Sequence, residues 1–118
     1  MDDYRRDGNV KHSLKAHLIF VTKYRKKLFY HRLKEDVKRY LCEAADRQNC
    51  FVIKMETDID HVHILFEYNP SQNVSDIAGF LKQYSTYKMW CKYNAFLQIC
   101  YWKRNVLWSD GYFVSSIG

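Results

Sequence analysis

The sequence contains a single proline and four glycines, and no tract rich in serine, glycine or glutamine. Flexible linkers and low-complexity segments are therefore not expected, and an ordered fold is. No internal repeat is present, which excludes solenoids and propellers. No apolar run approaches the ~20 residues needed to cross a bilayer, so an integral membrane protein is not expected. Cys42, Cys50, Cys91 and Cys100 form no CxxC pair and lack the density of a secreted disulfide framework. The start, MDDYRRDG, has none of the features of a signal peptide. Together these absences predict reduced thiols and a cytoplasmic location.

A hydrophobic fraction of 47% with 17% aromatic residues is enough for one core, and 118 residues fit one domain, 1–118. Nineteen basic against thirteen acidic residues leave a formal charge of +6. The excess is concentrated in RRDGNVKHSLK near the start and TKYRKKLFYHRLK over 22–34. Positive charge interleaved with tyrosines suits a phosphate backbone carrying stackable bases, whereas a solvated face is the plainer alternative.

Residues 14–23, LKAHLIFVTK, are nearly apolar on both faces and read as a central strand, Leu18 and Phe20 pointing one way and Ile19 and Val21 the other. From about 30 to 48, Leu33, Val37, Leu41 and Ala44/Ala45 recur at helical spacing. A strand is expected at 51–57, a tight turn around Asp58 and Ile59, and a second strand at 60–68. NPSQN is a loop ending at a plausible N-cap, Asn73, and a second helix follows to about 92. Residues 94–107 give no clear element, and a short strand runs from Tyr112 to Ile117. The order is β-α-β-β-α-β, an α+β ferredoxin-like arrangement with both helices on one face of an antiparallel sheet.

His61 and His63, in TDIDHVHILF, leave the same face of that strand. Val62, Ile64 and Phe66 alternate with them and belong under the helices, so the imidazoles are expected on the open face. A turn centred between Asp58 and Ile59 would set Thr57 opposite Asp60, Glu56 opposite His61 and Lys54 opposite His63. Two imidazoles beside the Glu56 carboxylate suit Mg²⁺ or Mn²⁺ better than a zinc site. Glu56 paired with Lys54 is the structural alternative. A structural zinc site is disfavoured because no third and fourth His or Cys ligand is placed to close a tetrahedron.

Taken in order, TKYRKKLF, TDIDHVHIL with His61-Val62-His63 as its HUH element, IAGFLKQYSTYKMW and LWSDGYFVSSIG resemble the single-tyrosine HUH transposases, the TnpA-type enzymes of small hairpin-ended insertion sequences. The resemblance runs nearly end to end. It implies a homodimeric nuclease and strand transferase acting on single-stranded DNA with hairpin ends. It implies that His61 and His63 are catalytic and hold a divalent ion, while a tyrosine attacks the phosphorus and forms a 5′-phosphotyrosyl link; Glu56 would assist on the strength of its register alone. In the family that tyrosine, and a glutamine of the metal shell, lie on a helix after the SSIG-type strand. No tyrosine here matches that position, so the nucleophile is unassigned, and a DNA-binding remnant without cleavage is the alternative reading. Tyr112 shares the open face with His61 if Phe113 and Ile117 are core, yet it is expected two strands from the histidines, roughly 10 Å away at ~4.8 Å per strand. Tyr84 and Tyr87 are expected to pack in the core or stack on DNA. Lys23, Tyr24, Arg25, Lys26 and Lys27 are expected to contact DNA, as are Lys82, Gln83, Ser85 and Lys88 of the second helix.

Overall fold

The computed structural model describes residues 14–117. The basic stretch at 5–15 therefore lies almost wholly outside the described residues, as does the start MDDYRRDG. Strands β1 (Leu14–Val21), β2 (Phe51–Asp58), β3 (His61–Tyr68) and β4 (Phe113–Ile117) form one sheet in the order β2-β3-β1-β4. All three pairings are antiparallel. Helices α1 (His31–Arg47) and α2 (Val74–Cys100) complete the expected ferredoxin-like order.

Alternation decides which sheet face is covered. Ala16, Leu18 and Phe20 of β1 and Val62, Ile64 and Phe66 of β3 are buried, and they meet Val37, Leu41, Ala44, Ile77, Leu81 and Met89 of the helices in one core. His17, Ile19 and Val21 alternate with the first set and His61, His63 and Leu65 with the second, all half-buried on the helix-free face. Just past the end of α1, Asn49 has a φ of 58°, a left-handed conformation that asparagine tolerates and that turns the chain out of the helix. Helix α2 starts as expected, with the Asn73 side chain accepting the Asp76 backbone N–H at 2.8 Å.

Three local expectations need correction. The hairpin turn comprises Ile59 and Asp60, one residue later than expected, because the Asp58 carboxylate accepts the Ile59 N–H at 2.8 Å and opens the turn there. Moving the turn centre by one residue moves every pairing by two. Glu56 consequently faces His63 rather than His61, Asp58 faces His61, and Lys54 faces Leu65. Helix α2 does not stop near 92 but continues through a non-helical Tyr93 (φ −119°, ψ 34°) to Cys100. The extension buries Leu97 and leads into buried Tyr101. Finally, Tyr112 packs toward the core, edge-on to Phe20 at 6.4 Å, while Phe113 is 67% exposed opposite Ile19. Tyr112 therefore does not share the open face with His61. All four cysteines are free thiols.

The connection after β1 is set by short-range chemistry. The Thr22 hydroxyl donates to the Lys26 carbonyl at 2.7 Å, closing a 3₁₀ turn over Lys23–Arg25 in which Tyr24 (φ 60°) and Arg25 (φ 52°) are left-handed. This turn is tied to the β2–β3 turn: the Thr22 N–H donates to the Asp60 carbonyl, and the Leu28 and Phe29 N–H groups donate to the Ile59 carbonyl. It is also tied to the segment after α2, because the Lys23 N–H donates to the Leu107 carbonyl at 2.8 Å.

Candidate metal and nucleic-acid site

The two histidines of β3 stand with ring centroids 4.9 Å apart. The Nδ1 of His61 is 2.8 Å from Asp60 Oδ1, and the other carboxylate oxygen accepts Arg25 Nε–H at 3.1 Å. His61 and Arg25 together hold the Asp60 carboxyl below its ordinary pKa, His61 being the strongest contributor. Asp60 is thus an anion that engages Nδ1 of His61 as a donor, so that Nε2 is the nitrogen left for a ligand. On the other side, His63 Nδ1 is 3.3 Å from His17 Nε2, with the two rings stacked at 5.3 Å. Burial, reinforced by the nearby His61 and His17 rings, pushes the His63 pKa down, which favours the neutral, ligating form.

This donor set fits a divalent ion in part. Two imidazoles are present on one face, each with an Nδ1 engaged. Glu56 stands opposite His63, but its carboxylate is 3.5 Å from Lys54 Nζ, the pairing raised above as its structural alternative. Among the described residues no three His, Cys, Asp or Glu side chains converge to hold an ion. A hollow of about 400 Å³ includes His61, His63, Glu56 and Asp58 in its lining, together with Lys34 and Lys38 of α1. Among the described residues no tyrosine lines it.

A larger groove, about 780 Å³, lies where the 3₁₀ turn, α2 and the 101–110 segment meet. Tyr24 and Trp102 form its lip, their rings stacked at 5.4 Å with 22° between planes, and they are 58% and 80% exposed. Lys23, Lys82, Gln83 and Lys103 line it together with Tyr87 and Asp110. The floor is rigid. The Tyr101 hydroxyl donates toward the Lys23 carbonyl at 3.0 Å, and Trp90 Nε1 donates to the Val106 carbonyl at 2.9 Å.

Residues 10–118 match the family described as Transposase IS200 like. The chain belongs to that family. It is 29% identical over 119 residues to the transposase for insertion sequence element IS200 of Salmonella typhimurium strain LT2, an alignment covering 100% of this chain and 76% of that protein. It is 31% identical over 106 residues to the ISDra2 transposase TnpA of Deinococcus radiodurans, covering 90% and 74% respectively. A crystal structure from Deinococcus radiodurans, described as that of a transposase, matches with a TM-score of 0.83 at 25% identity, covering 100% of this chain and 87% of that one. The structure of a REP-associated tyrosine transposase bound to a REP hairpin matches with a TM-score of 0.65 at 12% identity, covering 100% and 63%, and shares the fold.

In this IS200-like transposase chain the basic residues expected to contact DNA are not all alike. Lys23, Tyr24, Lys82 and Gln83 share the groove, which joins two segments more than fifty residues apart in sequence. Lys82 also holds the backbone together, since its Nζ donates to the Ser109 and Gly111 carbonyls at 2.8 and 2.9 Å, and burial lowers its pKa. Arg25 and Lys27 are exposed and Lys26 is half-buried, all outside the groove lining. Lys88 lies over the Tyr84 ring at 5.6 Å. Ser85 departs from expectation. It is fully buried, donating to the Leu81 carbonyl at 2.7 Å and accepting Trp108 Nε1–H at 2.9 Å, so it cannot reach a bound nucleic acid.

His17, Asp60, Trp102 and Lys103 were not singled out by sequence reasoning. His17 and Asp60 left a signal, His17 because it has the parity of Ile19 and Val21 on the open face, Asp60 because it directly precedes His61. Trp102 and Lys103 left none, since the segment that carries them has no periodicity.

No helix among the described residues is long and apolar enough to cross a membrane.

Proposed function

We propose that this chain is the transposase of an insertion sequence, acting on single-stranded DNA with hairpin ends. The observation that carries the reading is the pair His61 and His63, presented on the helix-free face with Nδ1 of each engaged, in a chain that matches the IS200-like family over residues 10–118. His61 and His63 would hold Mg²⁺ or Mn²⁺, with Glu56 near enough in register to His63 to join if it leaves Lys54. Bound there, the ion would withdraw charge from a scissile phosphate and from the oxygen that leaves it. The protein's own contribution is to hold two oriented imidazoles and to grip the strand. Lys23 and Lys103 of the groove meet backbone phosphates, and Tyr24 and Trp102 offer faces on which unpaired bases stack.

The attacking group is a tyrosine hydroxyl in this reading, and it is unassigned within the described residues. A homodimer belongs to the same reading, since β4 is an edge strand whose Phe113 and Val114 are 67% and 49% exposed, and a second copy would cover them. A second reading, a DNA-binding remnant without cleavage, is favoured by one observation: among the described residues no tyrosine lines the hollow at the histidines. Incubation of the purified chain with hairpin-ended single-stranded DNA and Mn²⁺, followed by a denaturing gel, separates the two. A covalent protein–DNA adduct that disappears in His61→Ala establishes the transposase reaction. Tight DNA binding with no adduct establishes the remnant.

A further inference from the structure

His17 belongs to neither the basic segment nor the HUH element, yet it touches one of the two histidines. It sits on β1 opposite Leu65, one open-face position from Ile19, which is opposite His63. That makes His17 and His63 diagonal neighbours across an antiparallel pair, within reach of long side chains. The His17 Nε2 accordingly lies 3.3 Å from His63 Nδ1, with the rings 27° from parallel.

We propose that His17 is a positioning residue for the metal-holding pair: its Nε2 accepts the Nδ1–H of His63, as Asp60 accepts that of His61, so that both rings keep Nε2 as the lone pair available to a divalent cation. The inference rests on the reading of His61 and His63 as that pair. A neutral imidazole has one nitrogen that donates and one that accepts. Were His63 Nδ1 the acceptor, its Nε2 would carry the proton and could not ligate. With Nδ1 donating to His17, the ligating nitrogen is fixed, and the ring is held against rotation. A carboxylate or carbonyl partner recurs behind metal-ligating histidines generally; here an imidazole takes that place for one ring and a carboxylate for the other. His17 is not itself a third ligand, since it does not converge with His61 and His63 on a common point.

The test uses the 118-residue chain, with Mn²⁺ alone as the probe. Wild type, His17→Ala and His17→Gln are titrated with Mn²⁺ by electron paramagnetic resonance, and imidazole nitrogen shifts of the metal-free proteins report the His63 tautomer. Loss of a supporting partner costs about 10–100-fold in metal affinity, and a 3.3 Å contact is long, so His17→Ala should fall near the tenfold end. His17→Gln, whose carbonyl can accept the same proton, should stay close to wild type. His63 should carry its proton on Nδ1 in the wild type and lose that preference in His17→Ala. Bound Mn²⁺ should couple to two imidazole nitrogens. Unchanged affinity in His17→Ala, an Nε2–H tautomer of His63 in wild type, or three coupled imidazoles would each overturn the proposal. Failure of His17→Gln to restore binding in a protein that melts like wild type would do so too. His61→Ala and His63→Ala serve as controls: if they bind Mn²⁺ as tightly as wild type, the metal-pair reading itself fails, a result distinct from failure at His17 alone.

Discussion

Asp36 on α1 shows how much one carboxylate can organise. It accepts from Arg39 at 3.1 Å and Lys92 at 2.8 Å, and the Tyr93 hydroxyl donates to it as well. Burial raises its pKa, but these partners outweigh burial and bring it down to about 2, from an ordinary 3.8. In the same pair, burial and the Asp36 carboxylate push Tyr93 up to about 12. A lowered folded pKa means that the unfolded chain takes up the proton first. The Asp36 contribution to stability is therefore complete above the ordinary pKa and declines as pH falls toward 2. Urea unfolding between pH 5 and 2 should show this decline, and Asp36→Asn should flatten it while costing about 1–3 kcal/mol at neutral pH from donors left without their acceptor. None of this was legible in the sequence, because Asp36, Lys92 and Tyr93 meet only after α1 and α2 pack. By contrast, the facing of His61 and His63 was legible from parity alone. Ser85 was misread for the complementary reason: helical spacing locates a face, but a hydroxyl bonded to its own helix and to Trp108 belongs to the interior.

At the level of elements, all four strands and both helices were legible, β1 from an apolar run on both faces bounded by polar residues, and the others mainly from alternation, helical spacing or turn and cap residues. Turn chemistry was less so. The Asp58 side chain starts the hairpin one residue later than the hydrophobic pattern suggests, and that single step moved the partners of His61 and His63 by two residues without changing their face. The 101–110 segment was opaque, being held by side chains such as Tyr101 and Trp90 that reach distant backbone rather than by any local repeat. Its product is the aromatic lip of the groove. Trp102→Ala and Tyr24→Ala should each weaken single-stranded DNA binding by about 5- to 150-fold, the equivalent of one lost base–aromatic stack. Lys23→Ala and Lys103→Ala should instead reduce the slope of log affinity against log salt, as fewer counterions are released. Fluorescence anisotropy across a salt series distinguishes these two behaviours, and equal slopes in wild type and lysine variants would remove the groove from the interface.

For the molecule as a whole, one sheet has one covered face and one open face, and its β4 edge carries exposed Phe113 and Val114. Sedimentation at micromolar concentration should show a dimer, and Phe113→Lys should shift it toward monomer without unfolding it, since that side chain is already 67% exposed. A wild-type chain that sediments only as monomer would contradict the arrangement. The order β2-β3-β1-β4 also sets the histidines between the two edges, one strand from β1 and next to the turn that meets the basic segment. There, Asp60 divides its two oxygens between two partners, one for Arg25 and one for His61. Arg25 is the exposed member, so a phosphate arriving at the basic turn, as the proposed function expects, would compete with Asp60 for it. When the phosphate wins, the whole carboxylate is left to His61. If the proposed function holds, strand capture and imidazole orientation would then be reported through a single side chain, a junction at which arrival of the substrate would be felt by the ligand before any chemistry begins.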